Sequence, residues 1–531
     1  MAKKQSTDFI QSIADGYKSK GDSIFLGAGM LGDSVESDAR ISIPLATLNR
    51  HGLIAGATGT GKTKTLQLLT ESLSKSGVPV LLMDIKGDLS GIAKPGEGNE
   101  IIKKRESVIG YEWKEEGFPV EFLSMSEASG ARLKATVSEF GPVLFSRILS
   151  LNETQSGVMS LVFKYCDDLG IPLLDLKDIK KALQYLTNEG KEEIEKEYGA
   201  ISSTSTSTIL RKIIELESQG AEMFFGEPSF EVEDLLSKDS KGYGTISIIR
   251  LTDIQSKPRL FSTFMLSLLT EIYGNFPEEG DLDAPKLAIF IDEAHLVFDE
   301  ASKALVDQIE SMVRLIRSKG VGIYFCTQSP TDIPSPVLAQ LGLKIQHALR
   351  AFTANDRKAI KQAAENYPST DFYDVDDEIT KLGIGEAFVT ALNEKGIPTP
   401  LVRTMLVPPS SRMDILSKEE LEEMIGRSKI VAKYAKEIDR DSAYEILTKK
   451  IASLAEGEEE LEVEEKGTSS KRSKRKAEKE DPSMMETISK NPLAREVGRT
   501  VAREVTRGLL GMLGISSTKK TRRKKSNLFG F

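Results

Sequence analysis

Residues Gly56, Ala57, Thr58, Gly59, Thr60, Gly61, Lys62 and Thr63 fit the pattern G-x-x-x-x-G-K-[ST], directly after the apolar run 51–56 and directly before a helix-periodic segment, 62–74. Few sequence features constrain a chain so tightly. The glycines free successive backbone N–H groups to curl around an anion, and the N-terminus of the following helix adds positive potential. Lys62 is suited to neutralise β- and γ-phosphate oxygens and the Thr63 hydroxyl to ligate Mg²⁺, so these eight residues and the adjoining Lys64 form the candidate nucleotide-binding set. A strand, a tight loop and a helix in that order also require an α/β fold.

The rest of the chain supplies the strands. Apolar, β-rich runs bounded by turn residues recur at 78–84, 245–251, 287–292, 321–328, 344–351 and 386–391, several of them apolar without interruption. That is the pattern of a mostly parallel sheet covered by helices on both faces. Helical patterns such as 303–318 alternate with them, and the core is expected from 48–90 and 242–410, with 1–47 a short N-terminal segment. The runs 78–84 and 245–251 lie too far apart for one crossover helix, so 91–241 reads as a mainly helical insertion, with helices near 138–151, 155–169, 176–188 and 208–219. The Ser/Thr stretch 202–208 reads as a flexible link or a helix-entry loop. Beyond Pro408-Pro409 the strand pattern stops. There 411–455 reads as helices packing on the core, 456–481 as a charged disordered linker, 482–515 as an amphipathic helix and 516–531 as a basic tail.

Hydrolysis needs a second element beside the phosphate loop. The run 287–291 ends in Asp292-Glu293, where Asp292 would hold Mg²⁺ and Glu293 would polarise the attacking water as a general base. His295, two residues on, reads at least as well as a plain structural or coupling residue as it does as a catalytic one. The run 321–328 ends in Gln328, an amide placed to bond the γ-phosphate or the water, and Cys326 within it reads as a small core residue. Asp84 and Asp88 close the run 78–84, with a loop-capping role as plausible as contact with water or metal. Candidates for the cation at the transferring phosphoryl are Arg317, Arg350 and Arg314. The absence of an Asn-Lys-x-Asp guanine-reading motif favours ATP.

Composition removes other classes. The two cysteines, Cys166 and Cys326, cannot build a disulfide framework, and three histidines leave little material for a zinc site, which points to a reducing, cytoplasmic compartment. No stretch approaches the roughly 18 apolar residues of a membrane span, so integral membrane insertion is not expected. The net charge of −9 averages two unlike parts: residues 466–531 hold 18 basic and 6 acidic residues, leaving 53 basic and 74 acidic in 1–465. The body is acidic and the tail basic, so contact with a polyanion would be confined to the tail or to an inner surface.

These residues carry a resemblance. The loop 56–63 preceded by Arg50-His51-Gly52, the strand end Asp84-Ile85-Lys86-Gly87-Asp88, the box Asp292-Glu293-Ala294-His295, and Arg317–Gly322 leading to Thr327-Gln328-Ser329-Pro330 are similar to the HerA/FtsK superfamily of P-loop ATPases. Phrases such as Phe224-Phe225-Gly226-Glu227-Pro228 and Gln346-His347-Ala348-Leu349-Arg350 resemble the bacterial YjgR-like, HerA-like subgroup. The resemblance implies a RecA-like core, an ATP-hydrolysing enzyme using Mg²⁺, a homo-oligomer of up to hexameric ring form, an arginine finger in trans and transport of DNA or protein through a pore. It does not extend to a complete N-terminal β-barrel, for which the residues before Gly56 are too few. Two functions are expected on this basis: an ATPase motor translocating or remodelling nucleic acid, or a nucleotide-dependent switch or scaffold acting on a protein partner or membrane surface through 482–515, where Arg495, Arg499, Arg503 and Arg507 recur beside an apolar stripe.

Overall fold

One mixed sheet runs through the described residues of the computed structural model, which are 2–125, 128–252, 257–280, 282–298, 303–351, 353–436, 438 and 440–467. Its twelve strands are β1 (Ser23–Leu31), β2 (Ser34–Pro44), β3 (Gly52–Ala55), β4 (Val80–Asp84), β5 (Val120–Ser124), β6 (Ala131–Arg132), β7 (Ile246–Arg250), β8 (Leu287–Ile291), β9 (Val321–Thr327), β10 (Leu343–Gln346), β11 (Glu386–Thr390) and β12 (Val402–Leu406). They lie in the order β2-β1-β12-β11-β10-β3-β9-β8-β4-β7-β5-β6. Strands from β10 to β6 pair in parallel, and those from β2 to β10 antiparallel. The expected RecA-like α/β core with a mostly parallel sheet is therefore present.

The central strands place the chemistry. Every residue of β3, β4, β8 and β9 is buried, so both sheet faces are covered, which is why these segments read as uninterrupted apolar runs. β9 lies between β3 and β8, with Ala55 opposite Thr327 and Ile291 opposite Phe325, and β4 lies beyond β8 with Met83 opposite Ile291. Because all four run the same way, the residues that follow them, Gly56, Ile85, Asp292 and Gln328, line one edge of the sheet. That edge is where open α/β sheets bind ligands.

Several boundaries differ from the sequence reading. Residues 1–47 form more than a short segment: the helix Ala2–Gly16 buries Phe9 and Ile13, β1 pairs with β12, and the Tyr17 hydroxyl lies 2.9 Å from both the Val389 and Pro400 carbonyls. The stretch 91–241 is not wholly an insertion, since β5 pairs with β7 in the main sheet. A five-residue strand flanked by loops is too short to stand out from local periodicity. The Ser/Thr stretch expected as a loop opens the helix Ser203–Ser218, where Thr206 and Thr208 hydroxyls donate to the carbonyls of Ser202 and Thr204 at 3.2 and 3.0 Å.

The chain folds as two compact units, one of 1–136, 147–150 and 209–440, the other of 137–146, 151–208 and the described residues from Asp441 on. The second unit joins the insertion helices Glu153–Leu169 and Leu176–Thr187 to the helix Ala443–Gly467. Asp178 is the joint: its carboxylate accepts the N–H groups of Leu174 at 2.7 Å, Asp175 at 3.0 Å and Tyr444 at 2.7 Å, and the Ser442 hydroxyl donates to it as well. The segment expected as one set of C-terminal helices is thus split, because Lys418–Arg427 and Lys429–Tyr434 belong to the first unit. The last helix also continues through 456–467, which the sequence reading gave to a disordered linker; a glutamate-rich stretch has good helix propensity. Residues 468–481, the expected helix 482–515 and the tail 516–531 lie outside the described residues. No helix among the described residues is long and apolar enough to cross a membrane.

Candidate active site

The phosphate loop is held from below by a histidine. Past β3, the Gly56 N–H donates to the Thr327 carbonyl at 3.3 Å and the Ala57 N–H to the Ala348 carbonyl at 2.8 Å, while the His347 N–H donates to the Ala55 carbonyl at 2.7 Å. Gly56 has φ +153° and packs so closely that a Cβ there would fall 2.5 Å from His347 Cβ. Gly61 has φ +110°, and a Cβ there would lie 3.2 Å from the Gly385 nitrogen, whose N–H bonds the Thr60 carbonyl at 3.1 Å. Both glycines are thus required by left-handed backbone and close approach. The helix Lys62–Lys75 begins directly after Gly61, with the unpaired N–H groups of its first turn at the loop. Lys62 is buried, which lowers its pKa, and its ammonium donates to the Ala57 carbonyl at 3.3 Å.

The loop residues divide by task. Thr58 and Gly59 are exposed at the tip, and Thr63 is half-buried in the first helical turn. Ala57 spends its N–H on Ala348, and Thr60 donates its hydroxyl to the Ala57 carbonyl at 2.7 Å, so both frame the loop. Lys64 turns away, donating to the Met413 carbonyl and to Gln67, so its side chain is not part of the phosphate set.

Beyond β8 sit two buried carboxylates. Asp292 is 2% exposed, and its Oδ2 has no hydrogen-bond partner among the described residues. Burial pushes its carboxyl up to about 6, against the pull of Lys86. Glu293 has φ +45°; its Oε1 pairs with the Lys86 ammonium, and its Oε2 lies 3.3 Å from His295 Nδ1. Burial would raise this carboxyl, but Lys86 outweighs it and holds Glu293 below the usual range. Asp84 acts as a loop cap, accepting the N–H groups of Gly87 at 2.6 Å and Leu89 at 3.2 Å, while the Oδ1 of Asp88 is buried without a hydrogen-bond partner among the described residues. Cys326 is fully buried in β9, its thiol pushed well up by burial and by Asp292, which agrees with a core residue.

A phosphate-binding loop, a carboxylate pair two strands away and a polar residue at the end of the strand between them form one constellation, and the family model for the HerA-like helicase C-terminal domain matches residues 31–520. The chain belongs to this family. With it the chain is a P-loop ATPase. Among relatives, the DNA double-strand break repair helicase HerA of Sulfolobus acidocaldarius is 22% identical over 373 residues, covering 70% of this chain and 68% of the relative. Its namesake in Sulfurisphaera tokodaii is 22% identical over 384 residues, covering 68% and 66%. The match thus spans about two thirds of the length of these curated relatives. The bacterial conjugative coupling protein TrwBdeltaN70 has a similar chain path, with a TM-score of 0.48 at 14% identity over 77% of this chain and 94% of that one.

Family membership does not by itself place the remaining candidates. Gln328 is exposed at the end of β9, directly after Thr327, which pairs with Ala55 before the loop. Arg350 is exposed beyond β10, two residues past the Ala348 carbonyl that receives Ala57. β10 is shorter than the expected run 344–351: past Gln346 the His347 N–H still reaches Ala55 at the end of β3, and the Ala348 carbonyl turns to receive the loop N–H of Ala57. Arg317 and Arg314 precede β9, at the opposite end of the strand, and Arg314 pairs with Glu310 at 3.3 Å. Seven strand residues span roughly 20 Å, so neither arginine reaches its own chain's phosphate loop.

The structure also adds residues that sequence reasoning gave no role. His347 is fully buried, with Nε2 2.9 Å from the Thr65 hydroxyl and Nδ1 without a hydrogen-bond partner among the described residues. Arg105 donates to the carbonyls of Gly385 at 3.1 Å, Leu406 at 2.9 Å and Ile384, fixing the turn that supports Thr60. Neither carries a local sequence signal, because each acts on segments remote in the chain.

Burial pushes His347 down to about 4, with Lys62 adding to the effect, and burial does the same to His51. Such an imidazole costs nothing above its unfolded pKa of about 6.5. As pH falls from there towards 4, the unfolded chain takes up a proton that the folded chain refuses, and stability drops. Glu71 and Asp84, pushed up to about 7 by burial, work in the opposite sense, losing stability as pH rises through that value. His347→Gln should therefore shrink the acid-side loss of stability by up to about 3 kcal/mol. Melting temperatures of variant and wild type at pH 7 and pH 5 check this; an equal drop in both proteins removes His347 from the account.

Proposed function

We propose that this chain is a Mg²⁺-dependent ATP hydrolase working as an oligomeric motor that translocates or remodels nucleic acid. The observation supporting hydrolysis most directly is the buried pair Asp292 and Glu293, set beside a phosphate loop whose lysine is already in place. Support for nucleic acid is the pair of relatives named as DNA repair helicases.

The fit to Mg²⁺ rests on Asp292, whose buried Oδ2 lacks a hydrogen-bond partner among the described residues, as a carboxylate reserved for a cation would. No preformed cluster of three or more acidic, His or Cys ligands exists among the described residues, and Mg²⁺ in phosphate sites needs none, since it keeps waters and takes phosphate oxygens. Thr63 and Asp292 are the residues that would hold it, and when bound it neutralises charge on the β- and γ-phosphates. The loop N–H groups and Lys62 bind the phosphate chain. Glu293 accepts a proton from water as the water oxygen attacks the γ-phosphorus in line and the bond to the bridging oxygen breaks, releasing ADP and phosphate. Gln328 orients the water or senses the γ-phosphate. Of the arginines, Arg350 lies at the loop end of the sheet, whereas Arg317 can act only on the site of a neighbouring copy.

ATPase rate with and without single- and double-stranded DNA, together with native mass in ATP, tests this reading. Wild type should hydrolyse ATP, DNA should accelerate it, and the native mass should exceed one chain. Lys62→Ala should reduce turnover at least about 100-fold by removing the buried cation at the transferring group. Turnover that DNA leaves unchanged would favour a nucleotide-dependent switch acting on a protein.

A further inference from the structure

We infer that Lys86 is a positioning residue of this site: it holds Glu293 in a resting pose and exchanges that carboxylate for the γ-phosphate when ATP binds. The inference rests on the ATPase reading and adds to it a residue that arms the general base.

Lys86 reaches Glu293 because of how two neighbouring strands end. β4 and β8 pair in register up to Met83 and Ile291. Past β4, the Asp84 carboxylate gathers the N–H groups of Gly87 and Leu89 into a tight turn. That turn carries Lys86 across the strand ends to the Glu293 carboxylate. Glu293 is 7% exposed at the side chain, holds a left-handed φ of +45° rare for a residue with a Cβ, and has its second oxygen buried 3.3 Å from His295 Nδ1 without a hydrogen bond among the described residues. Of its two partners among the described residues, Lys86 and His295, the ammonium of Lys86 is the nearer and carries a fixed charge. A carboxylate committed to an ammonium is a poor proton acceptor for water, so this arrangement is a resting one.

Lys86 is also placed to let go. Its side chain is 37% exposed, and its charge repels that of Lys62, the cation of the phosphate loop. Two ammonium groups in electrostatic contact at the lip of an anion site favour an anion of higher charge between them. A terminal phosphate meets that need better than a single carboxylate. ATP presents one there and ADP does not. Arrival of the γ-phosphate would thus draw Lys86 away, leaving Glu293 free to orient and deprotonate the water. An exposed lysine pairing with a surface carboxylate would contribute little, but here the partner is buried and is itself the candidate base.

The test uses the full chain as wild type, Lys86→Met, Lys86→Arg and Lys62→Ala. It measures kcat and KM for ATP, affinities for ADP and a non-hydrolysable ATP analogue, and melting temperature. Lys86→Met should weaken the ATP analogue roughly tenfold or more while leaving ADP within about twofold, because only the γ-phosphate contact is lost. Its kcat should fall at least about tenfold, and Lys86→Arg should restore most of the preference for ATP over ADP. Lys86→Met with wild-type kcat and a wild-type ratio of ATP to ADP affinity overturns the inference. So does an equal loss of both nucleotides with a lowered melting temperature, which marks a structural ion pair. A wild-type chain that hydrolyses no ATP, or that Lys62→Ala leaves unchanged, brings down the ATPase reading itself and the inference with it.

Discussion

Glu293→Gln should bind ATP as wild type does and turn it over about 10²- to 10⁴-fold more slowly, the range that a positioned general base contributes. The substitution keeps the shape of the side chain, so the buried site is not opened. It also keeps an oxygen that can accept from Lys86. What it removes is the capacity to take a proton and the negative charge beside Asp292. Losing that charge should, if anything, help a polyphosphate bind, so affinity for ATP is expected to hold or rise. Equilibrium binding of ATP and steady-state phosphate release on the same preparation separate the two effects. Turnover at the wild-type rate would remove Glu293 from the role of base and leave water activation to another group.

This prediction depends on a residue that the sequence exposed readily, and the reason is physical. Asp292 and Glu293 follow an uninterrupted apolar strand, and two charges at such a boundary stand out. The phosphate loop is legible for a related reason: Gly56 and Gly61 occupy backbone that excludes other residues, so the constraint is written into the residue types. The parallel core strands share this clarity because burial on both faces leaves no polar positions in them.

What was not legible depends on partners remote in the chain. The pairing of Lys86 with Glu293 joins two strand ends separated by roughly 200 residues, and nothing local to Ile85-Lys86-Gly87 announces it. β2 carries polar residues because an antiparallel edge strand exposes part of its surface, and the apolar run of β1 is broken by Gly27 and Gly29, so neither reads as a core strand. The helix Ala443–Gly467 belongs with the insertion helices through Asp178, a residue that in sequence looks like any helix-capping aspartate. The basic tail and the expected helix 482–515 are still known from sequence alone.

His347 shows most sharply how a site residue can hide, and Gly56→Ala is the variant that makes it visible. At φ +153° an alanine is strained, and its Cβ would meet His347 Cβ at 2.5 Å and the His347 Cα and Thr60 hydroxyl at 3.1 Å. His347 cannot easily yield, since its N–H bonds Ala55 at 2.7 Å and its ring lies 2.9 Å from the Thr65 hydroxyl. The loop must move instead, away from the position that presents Lys62 and the helix N-terminus to phosphate. Backbone strain and overpacking together should cost about 2–5 kcal/mol of stability, and ATP affinity should fall even though no phosphate-binding side chain has changed. Removing the opposing Cβ with His347→Gly should relieve the clash in part, so the double variant should be more stable than the two single losses predict by about 1 kcal/mol or more. Melting temperature and ATP affinity for the four proteins of this cycle decide it. Strict additivity, or a Gly56→Ala protein with wild-type stability and affinity, would show that the loop does not rest on the histidine.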